Sequence, residues 1–273
     1  MRRQIVEVAR GGGAKAANVL RESLQWEILA AMHGAEAFRE VAFVGGTCLR
    51  LIHGLKRFSE DLDFSARAGD GVFFLEVFPR ELGRFLESRG FGDAEVSVGK
   101  FHGAVRSLWV RFPGLLKEVG ASPMASQKIG IKLEFDLNPP PGADFSVQVV
   151  SSPALMAVGV HDLPSLMAGK LHAVLARSYT KGRDWYDLLW YLGKKVEPNI
   201  RFLQNALDQQ SSQWCSDAGD WRAAVRALTL QADWAAIHRD VGPFLESGSE
   251  IGMMREEIFL AALDMENRDK QKN

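Results

Sequence analysis

The segment VAFVGGTCLRLIHGLKRFSEDLDFS, residues 41–65, constrains the fold more than any other part of the chain. It opens with a short apolar run typical of a buried strand and turns at the diglycine Gly45-Gly46. Thr47–His53 then carries a helical apolar pattern, and a second strand is predicted over about Asp61–Ser65. Strand, turn, helix and strand in this order predict an α/β unit with the diglycine at the start of a helix.

The predicted second strand carries two carboxylates, Asp61 and Asp63. Because side chains alternate along a strand, both acids are expected on one face, opposite Leu62 and Phe64. Two like charges held this close repel each other unless a cation lies between them. Mg²⁺ suits this arrangement, since it takes one or two carboxylates together with substrate phosphates. A solvated strand edge is the alternative interpretation of an isolated DxD.

The diglycine adds a second chemical expectation. Gly45 and Gly46 at a helix start would let backbone N–H groups approach a phosphate, where the helix N-terminus adds favourable partial charge. A diglycine alone usually marks only a turn. Combined with the paired aspartates in this order along the chain, it favours a phosphate and metal site.

The strand QKIGIKLEFDLN, residues 127–138, offers a further acid. Its alternation places apolar side chains on one face and Glu134 and Asp136 on the other, together with Lys128 and Lys132. A third acid on a strand beside the paired aspartates could bind a second metal or activate an attacking hydroxyl. A solvated face of an edge strand with alternating charge is an equally open interpretation.

The organisation of the chain changes near Pro153. Residues 1–152 alternate strand and helix patterns, including a helix predicted over Val72–Arg89, whereas residues 153–273 carry helical patterns. We therefore expect an α/β (α+β) domain with a short mixed sheet and flanking helices, followed by a helical bundle that completes an active-site cleft.

A second polar group falls in the helical half. Lys170 lies within an apolar helical stripe, where a lysine must reach an edge or meet an anion. In TKGRDWYDLLWYL, Asp184 and Asp187 stand at i and i+3 on one helical face. Asp184 in the first turn could instead satisfy the helix dipole.

Composition excludes several classes of protein. The 33 basic and 34 acidic residues give a net charge of −1, so no global field attracts polyanions and any such site must be a local patch. Cys48 and Cys215 lie far apart and have no metal-ligand spacing, which argues against a zinc site and a disulfide scaffold and favours a reducing compartment. No window holds eighteen apolar residues without a charge, so we expect a cytoplasmic protein without membrane spans.

The motifs together resemble a known family. VGGTCLRLIHGLKRFSEDLDFS is similar to motif I of the polymerase-β-type nucleotidyltransferases, in the variant of the AbiEii/MenT-like toxins of type IV toxin–antitoxin systems. KLHAVLARSYTKGRDWYDLLWYL matches the family pattern KLxALxxR followed by RDxYDL. The resemblance covers roughly Val41 to Leu192. Gly46 stands where many relatives carry serine, so a hydroxyl contact to phosphate would come from Thr47 or be absent.

The resemblance implies Mg²⁺-dependent transfer of a nucleoside monophosphate from an NTP. Asp61 and Asp63 would hold metal, and Lys170 would join the diglycine turn and Thr47 in contacting the phosphates. It favours Glu134 over Asp136 as third acid. We favour Asp187 over Asp184 for the active site.

The resemblance also implies an acceptor and a partner. The acceptor would be the 3′ end of tRNA, and a cognate antitoxin would be encoded nearby without necessarily forming a stable complex. A protein-modifying transferase and a non-catalytic nucleotide-binding protein remain the alternatives. Basic residues flanking the motifs could form an RNA patch or only a solvated rim: Arg50, Lys56, Arg57, Lys181 and Arg183.

Overall fold

A computed structural model describes residues 1–67, 73–99, 102–151, 153–177, 179–210 and 212–270. The chain forms two compact units. The sheet unit comprises residues 1–53, 58–139 and 145–160, and the helical unit comprises residues 54–57, 140–144 and 161–273. The domain boundary expected after Ser152 falls on a residue outside the described ones.

The sheet unit is built on one seven-stranded mixed sheet in the order β3-β4-β5-β2-β1-β7-β6. β1 runs antiparallel to β2 and parallel to β7, β2 runs parallel to β5, and β4 is antiparallel to both β3 and β5. The expected α/β architecture with a mixed sheet and flanking helices is confirmed. The strands are β1 Val41–Val44, β2 Leu62–Ala66, β3 Glu95–Val98, β4 Val105–Pro113, β5 Lys128–Asp136, β6 Phe145–Val150 and β7 Met156–His161.

Aromatic packing fixes the centre of this sheet. Phe64 of β2 lies between Phe43 and Phe135, with ring centroids 5.4 and 5.0 Å away. All three rings are buried, and each contributes about 1.5–3 kcal/mol of hydrophobic stabilisation. Since Leu62 is buried beside Phe64, the alternation of β2 directs Asp63 to the opposite face.

The two helices predicted in the sheet unit are present, and each differs from its prediction at the start. The helix after β1 starts at Gly45 itself, two residues earlier than predicted. The helix predicted from Val72, a residue outside the described ones, contains a 3-10 turn at Phe73–Glu76 before its α-helical part. The α-helices are α1 Arg2–Arg10, α2 Ala16–Gly34, α3 Gly45–His53, α4 Phe78–Ser88 and α5 Leu115–Glu118.

One strand escaped the sequence analysis, which expected helical structure from residue 153 onward. Residues 156–161, MAVGVH, form β7, and Val160 pairs with Phe43 of β1. The run is continuously apolar because it is buried on both faces, so it lacks the alternation by which strands are recognised.

Within the described residues the helical unit contains six α-helices, and side-chain caps mark the starts of three of them. Asp162 accepts a hydrogen bond from the backbone N–H of Ser165, and Asn199 and Asp233 cap two further helices in the same way. No helix in the described part of the chain is long and apolar enough to cross a membrane. The helices are α6 Leu163–Ala176, α7 Gly182–Gly193, α8 Ile200–Gln209, α9 Trp221–Thr229, α10 Trp234–Val241 and α11 Glu256–Lys270.

Candidate active site

Two buried side chains hold the segment that leads into β2. The amide of Gln25, on α2, donates to the main-chain carbonyls of Ser59 and Glu60 at 3.1 and 2.9 Å. The hydroxyl of Thr47, on α3, donates to the main-chain carbonyl of Asp61. The position of the DxD motif is therefore fixed from two helices rather than by its own loop.

Gly45 brings the start of α3 against Asp63. It has φ +77°, which favours glycine, and a Cβ atom added there would lie 2.3 Å from Oδ2 of Asp63. Val44 and Asp63 are direct partners across β1 and β2, so the carboxylate lies beside the turn into the helix. The charge of Asp63 acts with burial to raise the pKa of the Cys48 thiol, one turn into α3.

The predicted third acid lies next to Asp63 in the sheet. Glu134 pairs with Asp63 in the parallel β2–β5 register, and Asp136 pairs with Ser65. Direct partners on neighbouring strands project to the same face, so both candidate acids share the face of Asp63. Glu134 is the one opposite Asp63, and its carboxylate accepts a bond of 2.7 Å from Lys132.

The donor set of this face suits a divalent cation that keeps other ligands. Asp61 and Asp63 are both partly exposed, whereas the intervening Leu62 is buried. No group of three or more His, Cys, Asp or Glu residues is arranged to hold a metal ion within the described residues. Two hard carboxylates fit Mg²⁺, because this ion commonly takes one or two carboxylates and completes its shell with water and phosphate oxygens.

Thr47 uses its hydroxyl for a contact within the sheet unit. It is fully buried, and the geometry directs its hydroxyl proton to the Asp61 carbonyl. Its role in the structure is to join the diglycine helix to the DxD segment. Neither this link nor that of Gln25 is predicted from the sequence. The signal for Gln25 is a polar residue beside the apolar residues Leu24 and Ile28 on α2.

The second predicted group forms a buried cluster of charges inside the helical unit. Lys170 Nζ lies 2.7 Å from Asp184 and 2.9 Å from Asp187. Arg57 donates two parallel bonds of 2.6 Å to Asp187, and Arg177 pairs with Asp184. Three cations and two anions give the cluster a formal charge of +1.

The cluster shifts the pKa values of its members. Burial raises the pKa of Asp187, but the charges of Arg57 and Lys170 outweigh burial and hold it below its usual range. Burial lowers the pKa of Lys170, and the charge of Asp187 opposes this effect. Both oxygens of Asp187 accept from Arg57, so this residue acts in the structure as a buried anchor.

Arg57 is the residue of this cluster that sequence reasoning misjudged. The sequence leaves open whether each flanking basic residue belongs to an RNA patch or to a solvated rim, but Arg57 is buried, with only 2% exposed. Its neighbour Lys56 is exposed and reaches only Glu246, at 4.0 Å. Arg50 pairs with Glu22 at 2.6 Å, so it too is engaged by an acid of its own unit.

The comparisons with known proteins bear on the family and the fold of the chain. The family "Nucleotidyl transferase AbiEii toxin, Type IV TA system" matches residues 27–263. The solved structure of JHP933 from Helicobacter pylori is 18% identical, with a TM-score of 0.51 over 93% of this chain and 97% of that chain. This likeness supports the fold.

Two further solved structures are more distant. Another Helicobacter pylori protein is 18% identical, with a TM-score of 0.49 over 87% of this chain and 93% of that chain. An antigenic nucleotidyltransferase-like protein from Paracoccidioides brasiliensis is 12% identical, with a TM-score of 0.35 over 78% of this chain and 92% of that chain. No curated protein matches the chain. Since the family match spans most of the sequence, the chain is a nucleotidyltransferase that belongs to the AbiEii toxin family of type IV toxin–antitoxin systems.

Proposed function

We propose that this chain transfers a nucleoside monophosphate from an NTP to a hydroxyl of RNA, most specifically the 3′ end of tRNA, in a Mg²⁺-dependent reaction. The observation that carries the proposal is the pair Asp61 and Asp63, held beside the first turn of α3 by Thr47 and Gly45. Paired carboxylates next to a glycine-led helix start combine a cation site with a phosphate site.

In this proposal Asp61 and Asp63 hold the cation. A bound Mg²⁺ would supply Lewis-acid stabilisation of the phosphate oxygens. The acceptor oxygen forms a bond to the α-phosphorus, the bond from that phosphorus to the bridging oxygen of the β-phosphate breaks, and pyrophosphate leaves. The proton of the acceptor hydroxyl passes to a carboxylate, for which Glu134, in register with Asp63, is the candidate.

The phosphates are assigned to two groups of donors. Backbone N–H groups at Gly46 and Thr47 open helix α3, where the helix dipole favours an anion. Lys170 directs two of its three donors to Asp184 and Asp187, and we assign the third to a phosphate oxygen. In this account Asp184 and Asp187 orient the lysine and do not bind metal.

An RNA acceptor is supported by the polar face of β4 and β5. Trp109 lies opposite Lys132, with the ammonium 5.9 Å from its ring, and Arg111 approaches the same ring at 4.9 Å. Ser107 continues this row to Glu134. Cations interleaved with an aromatic ring are typical of surfaces that contact the backbone and bases of single-stranded RNA.

Family membership also implies an NTP substrate and a cognate antitoxin. We place the reaction in the cytoplasm, where tRNA and NTPs are both present. The two cysteines are free, buried thiols, which suits a reducing compartment.

The acceptor is tested with the four NTPs labelled at the α-phosphate, in Mg²⁺, with intact tRNA, periodate-oxidised tRNA and cell protein offered separately. We expect label on intact tRNA alone, because oxidation destroys the terminal hydroxyls. Label on oxidised tRNA would move the site away from the 3′ end, and label on protein would contradict an RNA acceptor.

A further inference from the structure

The helical unit contains a pocket of about 180 Å³ beside the buried charge cluster. Its wall is formed by the end of α6, the start of α7 and the loop that joins them. The segment before α9, the end of α9 and the residues that follow it complete the wall. Six polar or aromatic side chains give it its character: Arg177, Tyr179, Lys181, Gln213, Trp214 and Gln231.

The lining combines two kinds of group that recognise the base of a nucleotide. Tyr179 is 65% exposed and Trp214 is half-buried, so both present aromatic surface. Such surface stacks on a flat heterocycle. The amides of Gln213 and Gln231 each offer donors and an acceptor, which can read the polar edge of a base.

The size of the pocket limits what it can hold. An engineered apolar cavity of roughly 150 Å³ accepts one benzene molecule. A pocket of about 180 Å³ therefore fits one heterocycle, with the sugar and phosphates outside it.

The pocket is continuous with the cluster assigned to phosphate. Asp184 lines the pocket and also accepts from Lys170, at 2.7 Å, and from Arg177. Arg177 itself lines the pocket, so a phosphate at the Arg177 guanidinium would lie at the wall of the pocket that contains Trp214.

We infer that this pocket binds the base of the NTP substrate and determines which of the four nucleotides is used. The inference rests on the proposed function for the identity of the ligand, but its test does not require turnover. Trp214 and Tyr179 supply stacking common to all bases, and Gln213 and Gln231 supply the discrimination between them.

The test measures the Kd of each NTP and of inorganic tripolyphosphate in Mg²⁺, for the wild type and four variants. Trp214→Ala should weaken the best-bound NTP by about 10-fold or more, the scale of one lost base–aromatic stack. Trp214→Phe should restore much of the affinity. Gln231→Ala should narrow the differences among the four NTPs, and tripolyphosphate affinity should stay unchanged in all variants.

Leu230→Ala is the matched control, because Leu230 is exposed next to Gln231 but does not line the pocket. It should bind every NTP as the wild type does. Unchanged NTP affinities and an unchanged order of preference in Trp214→Ala and Gln231→Ala would overturn the pocket assignment, even if label transfer is observed. Conversely, NTP binding that depends on the pocket, without any label transfer, would contradict the proposed reaction and still support the pocket assignment.

Discussion

The hydroxyl of Thr47 donates a hydrogen bond to the main-chain carbonyl of Asp61, which joins the first turn of α3 to the DxD motif. Replacing Thr47 by valine keeps the shape and removes the donor. We expect Thr47→Val to lose about 1 kcal/mol of stability and to slow label transfer at least about 10-fold, because Asp61 is no longer held.

The control for this prediction is Thr47→Ser, which retains the hydroxyl. Urea unfolding and the transfer rate should both stay near the wild type in the serine variant. Equal rates in the valine and serine variants would show that the hydrogen bond does not position Asp61.

Gly45 should tolerate no side chain. Gly45→Ala strains the backbone at φ +77° and places a methyl carbon 2.3 Å from the present position of Asp63 Oδ2. Gly120→Ala is the matched control, since Gly120 has φ +76° and open space around its added Cβ. Both variants should lose about 1–3 kcal/mol to strain, but only Gly45→Ala should lose transfer. An active Gly45→Ala enzyme would contradict the assigned position of Asp63.

Arg57 should contribute to the stability of the fold, as a buried residue, rather than to the charge of the protein surface. Its pair with Asp187 is buried on both sides, with side-chain exposures of 3% and 0%. Arg57→Ala removes both arginine bonds from a buried carboxylate, which then keeps Lys170 at 2.9 Å, and should cost about 3–5 kcal/mol of unfolding free energy. Arg57→Lys should recover only part of this loss, because lysine cannot form the two parallel bonds.

Lys56→Ala is the neighbouring control. Its ammonium is 67% exposed and lies 4.0 Å from Glu246, so its removal should change stability by less than about 1 kcal/mol. Similar losses in Arg57→Ala and Lys56→Ala, measured by urea unfolding, would contradict the anchoring role of Arg57.

His161 should make the protein sensitive to mild acid. Burial lowers the pKa of His161 to about 4, although the charge of Asp162 opposes the shift. Unfolding restores a pKa near 6.5, so the unfolded chain binds the extra proton first. The stabilising contribution is complete above the unfolded value and is lost as the pH falls from 6.5 towards 4.

The predicted size of this effect is about 2 kcal/mol between pH 7.5 and pH 5, since each pKa unit corresponds to 1.36 kcal/mol. His161→Phe removes the titrating group and can keep the ring packed near Phe202, whose centroid is 5.7 Å away. Urea unfolding at the two pH values should show a smaller pH-dependent loss in the variant. Equal losses in both proteins would rule out His161 as the source.

The sequence predicts the strands, helix and acidic face of the sheet unit better than the long-range contacts that hold them in place. The strand bearing Asp63, the helix after the diglycine and the face shared by Glu134 and Asp136 follow from local alternation and turn residues. Gln25 lies over thirty residues from the carbonyls that it holds, and such a contact leaves no periodic signal.

The helical unit shows the same limit. Lys170, Asp184 and Asp187 were expected to be functional, and the structure brings all three together. The pairing of Asp187 with Arg57 spans 130 residues along the sequence and could not be read from it. Arg57 stands beside exposed Lys56, so composition alone made it resemble a surface residue.

The most direct test of Asp61-dependent transfer of a nucleoside monophosphate uses NTPs labelled either at the α-phosphate or at the γ-phosphate, with Mg²⁺ and tRNA. The proteins compared are the wild type, Asp61→Asn and Glu60→Gln. Glu60 is the matched acid, adjacent in sequence and outside the assigned metal pair. The account predicts that α-label alone reaches tRNA, with one pyrophosphate released per transfer, in the wild type and Glu60→Gln but not in Asp61→Asn. Transfer of γ-label, or full transfer of α-label by Asp61→Asn, would contradict it.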